Sequence, residues 1–353
     1  MKPPAFFIPL PSVEVESERR IMAKSIGAGL EPGPHIHAGF TKDRLMLGTL
    51  LFMAPLAALG VAAIGWRVLA HLAIALNTAA AFHFALVFGE RRLRGQVLHP
   101  SWLSSLVAGA IVALSLLAVT PYVVTFAITA VALVLKFVQG WIFGRKYLNP
   151  AATAKVLLLG LMTAFVGLEK GLMYHPHHLW LDMVSPEGFR GALAWMYAYG
   201  PFSPGLSLFL WKTHAWIGGV SGLATLLFGI AACWVLRLKW RIPLAFLGGM
   251  AVLAVILAGT TGGDPLLRLA FHVFTGSVIF LAFFMATEPQ STPMTERGQY
   301  LFGFLLAVLT FVLQLRGVLG GSVIALVALN FFTPVLDRIG IRRAVGEERR
   351  ARG

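Results

Sequence analysis

Long, nearly uncharged apolar runs leave this chain few ways to fold. They lie at about 45–65, 67–89, 102–119, 121–143, 152–168, 212–236, 242–259, 265–286, 299–315 and 318–336. Each is close to the roughly 20 residues that a helix needs to cross a hydrocarbon core. Inside lipid only a helix or a closed barrel satisfies its own backbone N–H and C=O groups. The expected fold is therefore an all-α integral membrane protein of about ten transmembrane helices. The 353 residues are 58% hydrophobic and only 12% charged, well away from soluble domains.

Residues 1–44 read as a cytoplasmic N-terminal arm. The segment is polar, contains Pro3, Pro4, Pro9, Pro11, Pro32 and Pro34, and lacks the basic, apolar and small-residue progression of a secretory signal. Residues 45–336 form the ten-helix membrane domain, with a long external loop at 169–211, and 337–353 form a basic cytoplasmic tail. Five runs before the loop and five after it permit two inverted five-helix repeats. The loop carries Trp180, Trp195, Tyr197, Tyr199 and Trp211, aromatic residues of the kind that settle at headgroup level.

The formal charge of +14 fits membrane topology better than nucleic-acid binding, because the basic residues sit in loops between apolar runs. With the N-terminus inside, cytoplasmic segments hold 21 Lys and Arg and external segments six. The positive-inside rule then places both termini in the cytoplasm. The single cysteine, Cys233, excludes an internal disulfide and any iron–sulfur cluster that this chain would ligate alone through Cys.

Ionisable groups within spans are costly and often functional. Lys136 and Lys155 lie near the cytoplasmic ends of their spans, where a long side chain can snorkel to the headgroups. Asp264, Arg268 and His272, spaced four apart, share one face of the eighth span and make a polar membrane stripe. An Asp264–Arg268 pair would lower the cost of either charge, and His272 could relay protons or bond a cofactor. The preceding GTTGGDP includes Gly262 and Gly263, which suit either a tight interhelical turn or close backbone approach to an anion or a flat ring.

His71, His83, His214 and His272 are possible haem ligands in type, but no second helix matches the depths of both His71 and His83, so no haem is expected. Tyr174-His175-Pro176-His177-His178 is dense in histidine without a completing ligand set beyond Glu169 or Asp182, so no metal is expected. Asn149-Pro150 has the pattern of an N-cap followed by a first helical proline, or of a half-helix turned toward a cofactor.

Several blocks taken together resemble a known family. GPHIHAGFTKDRLMLGTLL, FGRKYLNPAA, RIPLAFLGG, TGGDPLLRLAFHVFTGSVIFLAFFMATEPQSTPMTERG and LNFFTPVLDRIGIRR are similar, in order and over nearly the whole chain, to the membrane D subunit of Rnf electron-transport complexes. That family is related to the B subunit of sodium-pumping quinone reductases. The resemblance implies one component of a six-subunit complex in the prokaryotic cytoplasmic (inner) membrane, with other Rnf-like membrane and peripheral redox subunits as partners. The complex would couple electron transfer between ferredoxin and NAD to sodium or proton movement.

The resemblance also implies flavin. In the family, FMN is attached to the threonine of a Ser-Gly-Ala-Thr motif in the external loop, and riboflavin is held non-covalently. Here the corresponding stretch is LDMVSPEGFRGAL, with Gly188 at the acceptor position. Glycine has no hydroxyl, so no phosphoester forms there. A non-covalent flavin, riboflavin or FMN, is the expected cofactor, with Asn149, Asp182, Ser185, Gly262, Gly263, Asp264 and His272 as its candidate contacts. No catalytic residue is assigned. A small-solute transporter or channel on the same scaffold is the alternative.

Overall fold

The computed structural model describes residues 41–95, 101–166, 184–197, 206, 209–211, 216–276, 278–316, 318 and 320–351. Arm residues 1–40, loop residues 167–183, His214 and the side chains of the tail beyond Ile339 lie outside the described residues. Lys42–Gly353 makes one compact unit. Its described helices are α1 (Lys42–Ile64), α2 (Arg67–Arg94), α3 (Leu103–Leu114), α4 (Tyr122–Phe143), α5 (Pro150–Val166), α6 (Pro186–Tyr197), α7 (Gly222–Val235), α8 (Arg241–Thr261), α9 (Pro265–Phe274), α10 (Val278–Phe284), α11 (Glu296–Leu315) and α12 (Gly321–Ala351).

All ten apolar runs appear as helix, in three forms. α1, α2, α4, α8, α11 and the apolar part of α12 are long enough to cross a membrane. α9 and α10 form one broken span, bent by 52°. α3, α5 and α7 are shorter, and α7 is preceded by a 3-10 turn at Ile217–Gly219. The eighth run is therefore not one straight helix: it breaks at Thr275, whose backbone is extended, and Gly276, whose φ of 64° suits a residue without Cβ.

α10 is buried at every position, so it runs through the middle of the bundle with apolar side chains on all sides. α8 packs on α11 and α11 on α12, while α2 packs on α3 and α4. The outer surface is apolar, with Leu51, Phe84, Phe88, Trp234, Val252 and Phe331 exposed, as a lipid-facing wall requires. The broken ends are tightly packed. A Cβ on Gly218 would meet Phe280 Cε2 at 2.5 Å and Leu114 Cβ at 3.0 Å, so glycine is what lets the 3-10 turn enter the bundle.

The snorkelling expected of Lys136 and Lys155 is not what the chain does. Both side chains turn into the bundle, at 2% and 1% exposure. Lys136 Nζ donates to Ser105 Oγ at 2.9 Å, and Lys155 Nζ donates to the Ser115 carbonyl. Hydropathy gives a residue's depth, but the face it occupies is set by where acceptors wait, and both acceptors belong to α3 and its C-cap.

Candidate functional site

Asn149 is the first functional position that the fold builds. Pro150 opens α5, and Asn149 Oδ1 accepts from Ala152 N–H at 3.1 Å, which is the cap read from the sequence. The rest of the residue is tied elsewhere. Its N–H donates to Asn330 Oδ1 at 2.9 Å, and its Nδ2 donates to the Met285 carbonyl at 3.1 Å. Asn330 Nδ2 then donates to the Ser291 carbonyl at 3.0 Å. One asparagine thus fixes the start of α5 to the segment after α10 and to α12.

Beside Asn149 lies a cavity of about 250 Å³ between α1, α3, α4, the start of α5 and the end of the broken span. Its walls are mostly apolar and include Val107, Ala108, Ile111 and Phe284. Its charged lining consists of Lys42, Lys136, Lys146 and Glu288. Lys146 and Glu288 form an ion pair at 2.5 Å, and Ser291 Oγ donates to the other Glu288 oxygen at 3.1 Å. Lys136 continues the polar wall inward through Ser105, whose hydroxyl also meets His83 Nδ1 at 2.9 Å.

At the same end, Lys239 in the α7–α8 connection donates to the carbonyls of Pro289 and Thr292, both at 2.8 Å. Burial pushes its ammonium down to about 8, against the opposing pull of Asp337 and Glu288.

The polar stripe of the eighth run resolves into separate roles. Asp264 is exposed, and its Oδ1 caps α9 by accepting from Leu266 N–H at 2.9 Å. Gly262 and Gly263 are exposed as well, at φ of 79° and 128°, and end α8 in a turn. Arg268 is fully buried. Its Nη2 donates to the Val184 carbonyl at 3.0 Å and Thr261 Oγ1 at 3.3 Å, and its guanidinium lies 4.3 Å from the Phe189 ring centroid. Among the described residues, no ion pair joins Asp264 to Arg268.

His272 is buried one turn further on. Its Nδ1 meets Gln314 Oε1 at 2.9 Å, and Gln314 Nε2 donates back to the His272 carbonyl at 3.3 Å. Phe189 lies parallel to the imidazole at 6.5 Å, with 13° between the planes. The structure therefore brings Arg268 and His272 to the start of α6. There Ser185 Oγ accepts from Gly188 N–H at 3.1 Å.

Two sets of expected residues are thus separate. Asn149 lines the cavity, whereas Ser185, Arg268 and His272 gather at the far end of the broken span. Asp182 lies outside the described residues. His71 and His83 are engaged in the bundle, with His71 Nδ1 meeting Thr125 Oγ1 at 2.7 Å. The sequence reading missed Lys136, Lys146 and Glu288 as one constellation. Its signal was the pairing of the FGRKYLNPAA and FFMATEP blocks, which hydropathy leaves far apart.

Comparison with known proteins identifies relatives over most of the chain. The family model described as NQR2, RnfD, RnfE matches residues 30–346. The chain is 27% identical over 318 residues to the D subunit of the Na(+)-translocating ferredoxin:NAD(+) oxidoreductase complex of Acetobacterium woodii, covering 89% of this chain and 93% of the relative. It is 24% identical over 319 residues to the D subunit of the proton-translocating ferredoxin:NAD(+) oxidoreductase complex of Clostridium ljungdahlii, covering 88% and 93%. To the D subunit of the ion-translocating oxidoreductase complex of Halorhodospira halophila it is 29% identical over 364 residues, covering 91% and 96%.

Proposed function

The chain belongs to the NQR2, RnfD, RnfE family, and from that membership we propose that it holds a flavin non-covalently as the membrane D subunit of an ion-translocating ferredoxin:NAD oxidoreductase complex. Its partners are the other membrane and peripheral redox subunits of that complex. The observation that carries the flavin reading is the cavity beside Asn149. At about 250 Å³ it lies just below the roughly 300–1,000 Å³ of small-molecule sites, a size that suits a flat ring system better than a whole dinucleotide. Apolar walls with a few fixed polar groups are what such a ring needs.

The residues present fit the group. A bound flavin would supply one- and two-electron transfer, while the protein supplies position and electrostatics. Asn149, on the cavity wall, is fixed by hydrogen bonds to Asn330, Met285 and Ala152. When protonated, Lys42 and Lys136 place positive charge on the cavity wall beyond what Glu288, paired with Lys146, offsets, and this favours the electron-rich form of the ring. A covalent phosphoester at position 188 is not available, because the residue there is glycine. By the positive-inside rule, the cavity end, with Arg145, Lys146, Lys239 and Arg241, faces the cytoplasm, as do both termini.

Acid extraction of the purified complex and of the full chain tests the reading. Flavin in the soluble extract of the chain is the expected result. A chain with no flavin, free or attached, overturns it. If such a chain also carried solute into liposomes without reductant, the transporter reading would take its place.

A further inference from the structure

Lys155 belongs to neither of the sites above. α3 has 12 residues, about 18 Å of helix against a hydrocarbon core of roughly 30 Å, so its carboxyl end stops inside the bundle. The end is closed by specific contacts. Leu116 C=O accepts from Ile217 N–H at 3.0 Å, which joins it to the 3-10 turn. Ser115 C=O, at the C-cap of α3, accepts from Lys155 Nζ. The Trp216 ring covers the same nitrogen, its centroid 3.4 Å away.

Both groups that touch the nitrogen attract a cation. A carbonyl at a helix carboxyl end carries the negative pole of the helix dipole, and an indole face carries negative quadrupole density. Among the described residues, no carboxylate forms an ion pair with Lys155, which is 1% exposed. A lysine nitrogen is costly to hold this way inside a membrane bundle, and ionisable groups kept there are functional-site candidates. We propose that the junction of α3, the 3-10 turn and α5 is a binding site for a small monovalent cation of the primary-ammonium type, with the Lys155 side chain as its tethered occupant. While Lys155 stays in place, the site is filled from within and closed to free cations.

The test is Lys155→Ala in the full chain, reconstituted in nanodiscs and melted in methylammonium chloride or tetramethylammonium chloride at equal ionic strength. The emptied site takes methylammonium, so the variant's melting temperature rises by several degrees in that salt alone. The wild type, its site filled, responds alike to both salts. Equal responses of Lys155→Ala to the two salts overturn the proposal. If that variant does not fold, Lys155→Arg and Lys155→Met decide. Arg retains wild-type yield and Met loses it, and a Met variant that accumulates and melts like the wild type overturns the proposal.

Discussion

Asn149 donates from its side chain to the Met285 carbonyl at 3.1 Å, so the start of α5 is pinned to the segment that leaves the broken span. The same side chain caps α5 through Ala152 N–H. Asn149→Ala therefore loses a cap, about 1 kcal/mol, and the shorter of two donors to the Met285 carbonyl, which keeps Glu288 N–H at 3.4 Å, about 1 kcal/mol more. Asn149→Asp keeps the cap oxygen but turns a carboxylate oxygen on the Met285 carbonyl at a buried position. Thermal melting in detergent is expected to rank wild type above both variants, with flavin content falling in both.

Protonated Lys136 sets positive charge on the cavity wall, and among the described residues it forms no ion pair. Removing that charge disfavours addition of electrons to a ring beside it. In an anaerobic redox titration followed by flavin absorbance, Lys136→Met is expected to move the midpoint to more negative potential. An unchanged midpoint would place the ring elsewhere.

His272 and Gln314 exchange two hydrogen bonds across α9 and α11. Replacing either partner leaves the other buried and unsatisfied, so His272→Leu and Gln314→Leu each cost roughly 1–3 kcal/mol. The double variant is expected to cost clearly less than the two single costs added, a non-additivity that a double-mutant cycle of melting measures.

Part of this layout was legible in the residues, and part was not. The ten apolar runs dictated helices, since lipid offers the backbone no other partner. Asn149-Pro150 announced its own cap. The break at Thr275 and Gly276 was invisible to hydropathy, because TGS is as permissible inside an apolar window as in a turn, and only φ and ψ distinguish them. The early end of α3 was hidden for the same reason: residues 116–119 remain apolar after the helix has stopped. Lys136 and Lys155 misled because depth along a helix was known and facing was not. Asp264, Arg268 and His272 share helical spacing, yet Asp264 turns back to cap its own helix while Arg268 reaches across to Val184.

Lys239 gives a pH dependence of definite sign. Its folded ammonium titrates near 8, below the ordinary 10.5. Between these values the unfolded chain binds more protons, so this lysine's contribution to stability grows as pH rises from about 8 to 10.5 and is lost as pH falls through 8. The difference in melting temperature between wild type and Lys239→Met is expected to shift in favour of wild type across that window. A difference that stays flat from pH 8 to 10.5 contradicts the assignment.

Gly188 stands where the related motif has its acceptor threonine. Denaturing gels of the wild-type chain are expected to show no flavin fluorescence. The triple substitution Pro186→Gly, Glu187→Ala and Gly188→Thr rebuilds Ser-Gly-Ala-Thr after Ser185, and co-expression with a flavin transferase is expected to make the band fluoresce. Wild-type fluorescence would mean that another residue carries the flavin.

The most direct measurement counts acid-released flavin per full-length chain in the wild type and in Ala108→Trp, whose indole fills the cavity beside Asn149. The account predicts close to one flavin per chain for the wild type and nearly none for Ala108→Trp, with the blocked protein still inserted and folded. Equal flavin in the two proteins, or none in either, would contradict it.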